Sequence, residues 1–303
     1  MNLKSFVHIP LFLVVFLHIS NAQSGTELSL GIDEFLSKTR PEYLGKKLGL
    51  CTNTGGVNHT GQRTIELLEQ EFGLDLLLTL DDWNDTTTFS DNRTSVIVEG
   101  HSFEKINISG ILPVQIVELI KDLDVLFVDL QGIGIRSQSY TVTLQHLLYA
   151  GGIASTSIII LDRPNPLGGE MVSGNIPQDS LGSPGSFIPI PYRHGMTIGE
   201  LARLLNTEND HGADLMIIPM DNWQGQPWSE IGLDWVPISP GISTVDDLER
   251  FTITSLLGAD GIIENGVSTD RPYEILVHPK ITSGSDIVFA LDELDLPGVH
   301  ILP

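Results

Sequence analysis

At its most informative point the chain reads Ser157-Ile158-Ile159-Ile160-Leu161-Asp162-Arg163-Pro164-Asn165-Pro166-Leu167-Gly168-Gly169. The apolar run at its start predicts a buried strand, and the prolines and glycines after it predict a stiff turn. In open α/β sheets, ligands bind just beyond the carboxyl ends of the strands. The Asp162–Arg163 pair is therefore a candidate for a binding site, and the alternative is an ion pair that only pins a loop.

The rest of the chain alternates apolar runs with amphipathic segments. The apolar runs predict strands at Leu48–Thr52, Leu74–Leu80, Ser95–Val98, Val125–Leu130, Ser157–Leu161 and Leu215–Pro219. Helical spacing and start signals predict helices at Thr64–Phe72, Pro113–Lys121, Tyr140–Ala150 and Thr197–Leu205. We expect the third helix to stop at Gly151-Gly152 and the fourth to begin with a Thr197–Glu200 capping box. This rhythm predicts an α/β fold: a parallel sheet with helices on both faces.

The charge of the chain restricts its partners. The formal net charge is −23, and an excess of this size repels nucleic acids and anionic membrane surfaces. A small anionic ligand remains possible, because a local cluster of arginines can override the overall field.

The N-terminus has the features of a secretory signal peptide over residues 1–23. Lys4 precedes the apolar run Leu11–Leu17, and Ser20-Asn21-Ala22 is a small-x-small cleavage site before Gln23. Sequons consistent with a secreted glycoprotein begin at Asn58, Asn84, Asn92 and Asn107. The chain has one cysteine, Cys51, in an apolar run, which excludes an internal disulfide and predicts an inert core residue.

Polar residues follow most of the predicted strands. They are Asn53, the Asp81-Asp82 pair, Asp129 to Gln131 with Arg136, and the Asp162-Arg163 pair. An Arg193-His194 pair stands just before a predicted helix, where anions bind readily. Because carboxyl ends of parallel strands share one edge, these loops should converge there. Trp223, Trp228 and Trp235 form either a sugar-stacking surface or part of the core.

Two common site types lack their motifs here. Gly132-x-Gly134 has no third glycine, and Gly55-Gly56 has no following Walker lysine, so neither is a nucleotide fingerprint. The sequence has no His pair at helical i,i+4 spacing and no Cys/His cluster, and we therefore expect neither a metal nor a cofactor.

Together these segments resemble the exo-β-N-acetylmuramidases, a family of cell-wall glycosidases long known as a domain of unknown function. The two most specific matches are Asp162-Arg163-Pro164-Asn165-Pro166 and Arg193-His194-Gly195-Met196-Thr197. Further matches are Gly49 to Asn53 with Thr64-Ile65, Asp129 to Gln131 with Arg136 and Tyr140, and Thr269-Asp270-Arg271-Pro272-Tyr273-Glu274.

The resemblance implies a Rossmann-like N-terminal domain over residues 24–240 and a smaller, incomplete C-terminal α+β domain over residues 244–303. It implies release of N-acetylmuramic acid from non-reducing ends of peptidoglycan fragments, without a cofactor. The lactyl carboxylate of this sugar suits bidentate binding by arginines. The substrate-binding residues implied are Asn53, Gln131, Arg136, Tyr140, Arg163, Asn165, Arg193, His194, Asp270 and Arg271.

The chain departs from the family at the catalytic motif. Where the family has Ser-Pro-Glu-His-Gly, this chain has Asp82 at the Glu position and Trp83 at the His position. We expect Asp82 to be the general acid, with Asp129, Asp162 or Glu264 as the second carboxylate that glycoside hydrolysis requires. Gly132 also replaces a family Asp, and family members continue beyond the point where this chain stops.

These departures leave three hypotheses open. The chain is a secreted muramidase weakened by the shorter acid, a non-catalytic relative that binds amino sugars, or a truncated product without a ligand.

Overall fold

The computed structural model describes residues 27–80, 93–98, 100–178, 188–239, 241–258, 263–267, 269–278, 280, 288–289 and 293. The predicted signal peptide, Asp82, Trp83 and the sequons at Asn84 and Asn92 lie outside the described residues. Within the described part of the chain, no helix is long and apolar enough to cross a membrane.

The described residues form seven strands: β1 (Leu48–Thr52), β2 (Leu76–Thr79), β3 (Arg93–Val98), β4 (His101–Asn107), β5 (Val125–Asp129), β6 (Ser157–Leu161) and β7 (Leu215–Ile218). They make one sheet in the order β3-β4-β2-β1-β5-β6-β7. Neighbouring strands are parallel except the antiparallel pair of β3 and β4 at one edge. The predicted α/β class with a largely parallel, Rossmann-like sheet is confirmed.

Six α-helices accompany this sheet in the described residues. They are α1 (Gly31–Leu36), α2 (Thr64–Phe72), α3 (Pro113–Ile120), α4 (Ser139–Ala154), α5 (Ile198–Glu208) and α6 (Val245–Thr254). Short 3₁₀ turns occur at Pro41–Tyr43, Trp228–Glu230 and Ser255–Gly258.

The two faces of the sheet have separate hydrophobic cores. Alternate residues of each strand point to opposite faces, so Leu50 and Phe127 pack with Phe35 of α1 and Leu68 of α2. The opposite face holds Val128 and neighbouring strand residues against α3, α4 and α5. Both faces are covered, and for this reason the central strands are continuously apolar rather than alternating.

The capping box predicted for α5 is present. Thr197 Oγ1 accepts a hydrogen bond from the Glu200 amide at 3.1 Å, and Glu200 Oε2 accepts one from the Thr197 amide at 2.9 Å. These bonds satisfy two backbone donors that a helix N-terminus otherwise leaves unpaired.

Helix α4 and strand β4 differ from what the sequence predicts. Helix α4 does not stop at Gly151-Gly152 but continues to Ala154, and the αL residue that ends it is Ser155. A Cβ on Gly152 would overlap the carbonyl oxygen of His211, so the glycine serves close packing. Strand β4 was not predicted, because most of its residues are polar and its sequence, His-Ser-Phe-Glu-Lys-Ile-Asn, carries little hydrophobic pattern.

The segment after β7 packs on the same core as the sheet. Leu248 of α6 and Tyr273 belong to the hydrophobic cluster that covers the α3–α5 face, and the Phe251 and Tyr273 rings meet edge to face with centroids 4.9 Å apart. The division into domains at residues 240–244 stays a prediction.

Candidate functional site

A buried ion pair lies at the carboxyl edge of the sheet. Asp129 ends β5, and Arg163 is two residues beyond β6. Arg163 Nη2 donates to Asp129 Oδ2 at 2.9 Å, and Nε donates to Oδ1. Asp129 is fully buried and Arg163 is 2% exposed. Two charges removed from water in this way need each other, because either alone carries a large desolvation cost.

The same pair fastens the loop after β1. Arg163 Nη2 also donates to the Val57 carbonyl, and Thr64 Oγ1 donates to Asp129 Oδ2. Both Asp129 oxygens are therefore engaged, and neither is exposed. These contacts favour the pinned-loop alternative for Arg163 and a structural role for Asp129, whose action as a catalytic base stays a prediction.

Asp162 holds the start of α5. Its carboxylate accepts hydrogen bonds from the Gly199 amide at 2.8 Å, the Thr197 hydroxyl at 2.9 Å and its neighbour's amide at 2.9 Å. Burial raises the pKa of Asp162 to about 6, although these hydrogen bonds oppose the shift. A Cβ on Gly199 would lie 2.8 Å from Asp162 Cγ, so glycine permits this close approach.

Asn53 and Gln131 join the loops after β1 and β5. The Asn53 side chain donates to the Gln131 carbonyl at 3.0 Å and accepts from the Gln131 amide at 3.2 Å. The Gln131 side chain donates to the carbonyls of Gly132 and Pro164. Its Oε1 atom is buried and has no hydrogen-bond partner among the described residues. It is therefore an acceptor without a donor.

A cavity of about 150 Å³ opens beside this network and is called here the Trp228 cavity. Three loops beyond the strands and the connection after β7 contribute to it. Its polar and aromatic lining residues are Asn58, His59, Thr60, Gln131, Arg163, Trp228 and Asp234. Trp228 also packs edge to face against Trp235, with centroids 5.1 Å apart, so this ring both lines the cavity and packs against a neighbouring ring. A sugar-stacking role for it stays a prediction.

A smaller space of about 20 Å³, the His194 cavity, lies on the other side of Arg163. Tyr140, Asn165 and His194 line it. Asn165 is fixed by its bonds to the Met196 carbonyl and the Leu167 amide, and the Tyr140 hydroxyl donates to the Ile238 carbonyl at 3.2 Å. The volume is that of about one water molecule.

His194 is a neutral side chain in this arrangement. Its Nδ1 accepts a hydrogen bond from the Met196 amide at 3.1 Å, which places the ring proton on Nε2. Burial lowers the pKa of His194 to about 4. It can therefore donate a hydrogen bond to a ligand but supplies no positive charge near neutral pH.

The predicted arginines have separate partners. Arg136 Nη1 donates to the carbonyls of Asn175 and Ile190 at 2.6 Å each. Arg193 Nη2 donates to the Leu167 carbonyl, and Arg271 Nε bonds the Glu274 carboxylate at 3.0 Å. Of these and Arg163, only Arg163 lines either of the two cavities in the described part of the structure. Each of these guanidinium groups thus has a partner within the chain, and their shared role in binding substrate stays a prediction.

The remaining predicted residues belong to the last described segment. Glu264 and Asp270 are exposed, and the Glu264 backbone pairs with Val277 in an isolated β-bridge. Neither residue lines the Trp228 cavity or the His194 cavity. Their assigned roles stay predictions.

Sequence reasoning passed over His59 and Asp234, and it treated Asn58 only as a sequon. The available indication was that Asn58-His59-Thr60-Gly61 is one more polar turn after a strand. Cys51 is buried as predicted, and burial raises the pKa of its thiol far above the usual range. Among the described residues no group of three or more His, Cys, Asp or Glu side chains is arranged to hold a metal ion.

The fold and the site define an α/β protein with polar loops gathered at the carboxyl edge of a Rossmann-like sheet. A family model described as exo-β-N-acetylmuramidase NamZ, N-terminal, matches residues 48–246, and the chain belongs to this family.

Two further comparisons agree with this assignment. The peptidoglycan β-N-acetylmuramidase NamZ of Bacillus subtilis is 31% identical over 277 residues, which are 90% of this chain and 66% of that protein. This chain thus spans slightly less than two thirds of that relative. A crystal structure of a DUF1343 family protein from Bacteroides fragilis superposes with a TM-score of 0.76 at 28% identity, covering 91% of this chain and 73% of that one. A second such protein from the same organism, 23% identical with a TM-score of 0.68, shares the fold; the match covers 85% of this chain and 69% of that one.

Proposed function

We propose that this chain recognises N-acetylmuramic acid at the non-reducing ends of peptidoglycan fragments and belongs to an exo-β-N-acetylmuramidase. Family membership and the 31% identity to a protein named as a peptidoglycan β-N-acetylmuramidase support this proposal.

The observation that carries the proposal is the Trp228 cavity. It lies beyond the carboxyl ends of β1, β5 and β6, where ligands bind in open α/β sheets. It combines an aromatic ring with amide and carboxylate side chains, a set that suits the apolar face and the hydroxyl groups of a sugar. The unpartnered Gln131 Oε1 suits the N–H of an acetamido group.

Catalysis in this proposal depends on Asp82 as the general acid. Asp129 and Asp162 are both occupied by structural hydrogen bonds, whereas Asp234 lines the cavity. We therefore add Asp234 to Asp129, Asp162 and Glu264 as a candidate for the second carboxylate. Hydrolysis of a glycosidic bond needs both groups at a defined separation.

The direct test is release of free N-acetylmuramic acid from a synthetic aryl β-N-acetylmuramide by the full chain. Loss of turnover in the single variant Asp82→Asn supports the proposed reaction. Loss of turnover in the single variant Asp234→Asn, but not in Glu264→Gln, identifies Asp234 as the second carboxylate. Turnover that is unchanged in Asp82→Asn would contradict the assignment of the acid.

A second candidate function is sugar binding without hydrolysis. The observation that favours it is Asp82-Trp83 at the positions where the resemblance places Glu-His. Calorimetry with a muramic acid disaccharide separates the two functions, because binding without release of sugar supports this alternative.

Secretion is part of the proposal and depends on residues 1–23. Expression of the full chain in a secreting host, followed by N-terminal sequencing, should give a mature protein that begins at Gln23. A product that retains Met1 would contradict it.

A further inference from the structure

Among the described residues, the Trp228 cavity offers an acidic sugar no exposed guanidinium. Arg163 is the arginine that lines it, but this side chain is buried and its Nε and Nη2 atoms already donate to Asp129 and to the Val57 carbonyl. Arg136 and Arg193 donate to backbone carbonyls elsewhere, and Arg271 pairs with Glu274. Within the described residues, His59 is the other lining side chain that can carry a positive charge.

His59 is held in place by Asp33 of α1. Its Nδ1 lies 2.8 Å from Asp33 Oδ1, and its backbone amide donates to Asp33 Oδ2 at 3.2 Å. The His59 side chain is 42% exposed, whereas that of Asp33 is 14% exposed. Nε2 is the ring nitrogen that this pairing leaves for a ligand.

We propose that His59, oriented by Asp33, is the cationic partner of the lactyl carboxylate and selects muramoyl over glucosaminyl ends. This inference rests on the proposed function. The two sugars differ by the lactyl group alone, so a charged donor at the cavity distinguishes them through a charge-assisted hydrogen bond.

The charges around His59 favour its protonated form. Its hydrogen bond to Asp33 raises the pKa of His59, and the negative charges of Asp33 and Glu27 act in the same direction, against a smaller opposing effect of burial. Asp234 also lines the cavity, and its carboxylate is suited to accepting sugar hydroxyls. Because a carboxylate binds the protonated ring, affinity for the acidic sugar should fall as the pH rises through the raised pKa.

The experiment compares methyl β-N-acetylmuramide with methyl β-N-acetylglucosaminide, titrated calorimetrically into the full chain. We expect the wild-type chain to prefer the muramide by about tenfold below the pKa of His59 and to lose this preference at alkaline pH. His59→Gln should remove the preference at every pH. His59→Lys should restore it and make it insensitive to pH up to about 9.

A matched control is His101→Gln. His101 is also exposed and paired with an acid, with Nδ1 2.6 Å from Glu69 Oε1, but it does not line the cavity. This variant should keep the wild-type preference. A preference that survives in His59→Gln would overturn the inference and leave the proposed function intact. Failure of the wild-type chain to bind either sugar would overturn both.

Discussion

The guanidinium of Arg163 and the carboxylate of Asp129 form an ion pair that is shut off from solvent, with Nη2 and Oδ2 2.9 Å apart. They are separated by 34 residues in sequence and connect the loops after β5 and β6. Arg163 therefore lines both cavities as one half of an ion pair whose charges compensate each other. A charged ligand in either cavity would need an oppositely charged partner other than this pair.

Removing one partner of this pair should destabilise the fold strongly. In Arg163→Met the Asp129 charge is left buried and uncompensated, and we expect the free energy of unfolding to fall by about 3–5 kcal/mol. Urea denaturation measures the change. Arg271→Met, at an exposed pair, is the control and should cost about 0–1 kcal/mol. If Arg163→Met does not fold, the double variant Arg163→Met/Asp129→Leu should recover much of the lost stability. Equal stability of Arg163→Met and Arg271→Met would contradict the prediction.

Asp162 should make stability depend on pH in the weakly acidic range. Its pKa in the folded chain, about 6, lies above the ordinary value of 3.8, so the native state binds more protons than the unfolded state between these values. The Asp162 contribution to stability should therefore fall by up to about 3 kcal/mol as the pH rises from about 4 to 7. His194 acts in the opposite direction over this range, because burial lowers its pKa in the folded chain to about 4, below the ordinary value of 6.5.

Urea denaturation across this pH range tests that slope. Asp162→Asn cannot ionise, so its stability relative to the wild-type chain should rise as the pH rises from about 4 to 7. Asp246→Asn, at a side chain that is 79% exposed, should follow the wild-type pH dependence. A slope that is the same in Asp162→Asn and the wild-type chain would show that another group is responsible.

The two cavity histidines should titrate on opposite sides of the ordinary pKa. His194 should stay neutral, with its proton on Nε2, until the pH approaches about 4, because burial opposes its charge. His59 should titrate above 6.5, because its hydrogen bond to Asp33 favours the imidazolium. Long-range ¹H–¹⁵N NMR spectra report both in one sample, with His194→Gln and His59→Gln for assignment. A His194 midpoint near 6.5 would exclude the buried environment described above.

Gly152 should resist substitution although it lies within a helix. Alanine is the better helix former by about 1 kcal/mol, but its Cβ would overlap the His211 carbonyl oxygen. We expect a net loss of about 1–3 kcal/mol in Gly152→Ala, measured by thermal or urea unfolding. Ile153→Ala on the same helix, at a side chain that is 61% exposed, should change stability by less than about 0.5 kcal/mol. An increase in stability of Gly152→Ala would show that α4 and the His211 segment are less tightly packed.

The sequence by itself determined the order of most of the strands and helices and the limits of several. Strands β1 and β6 and helix α2 have the predicted bounds, because continuous apolar runs and helical spacing are local properties of the chain. The capping box at Thr197 was equally predictable, since both of its partners lie within one turn. Strand β4 was not predictable in this way, because most of its residues are polar and it carries a weak hydrophobic pattern.

Only the tertiary structure decided what the polar residues do. The motifs around Arg136, Arg163 and Arg193 indicated a shared anion site, but each guanidinium is bound by groups from another part of the chain or from a folded loop. The position of the His59 ring was not predictable either, because it is held by Asp33 of α1, a helix that was not predicted. Such pairings join residues that are far apart in sequence, and they depend on which strands are neighbours in the sheet. Neither residue type nor local spacing specifies the order of the strands.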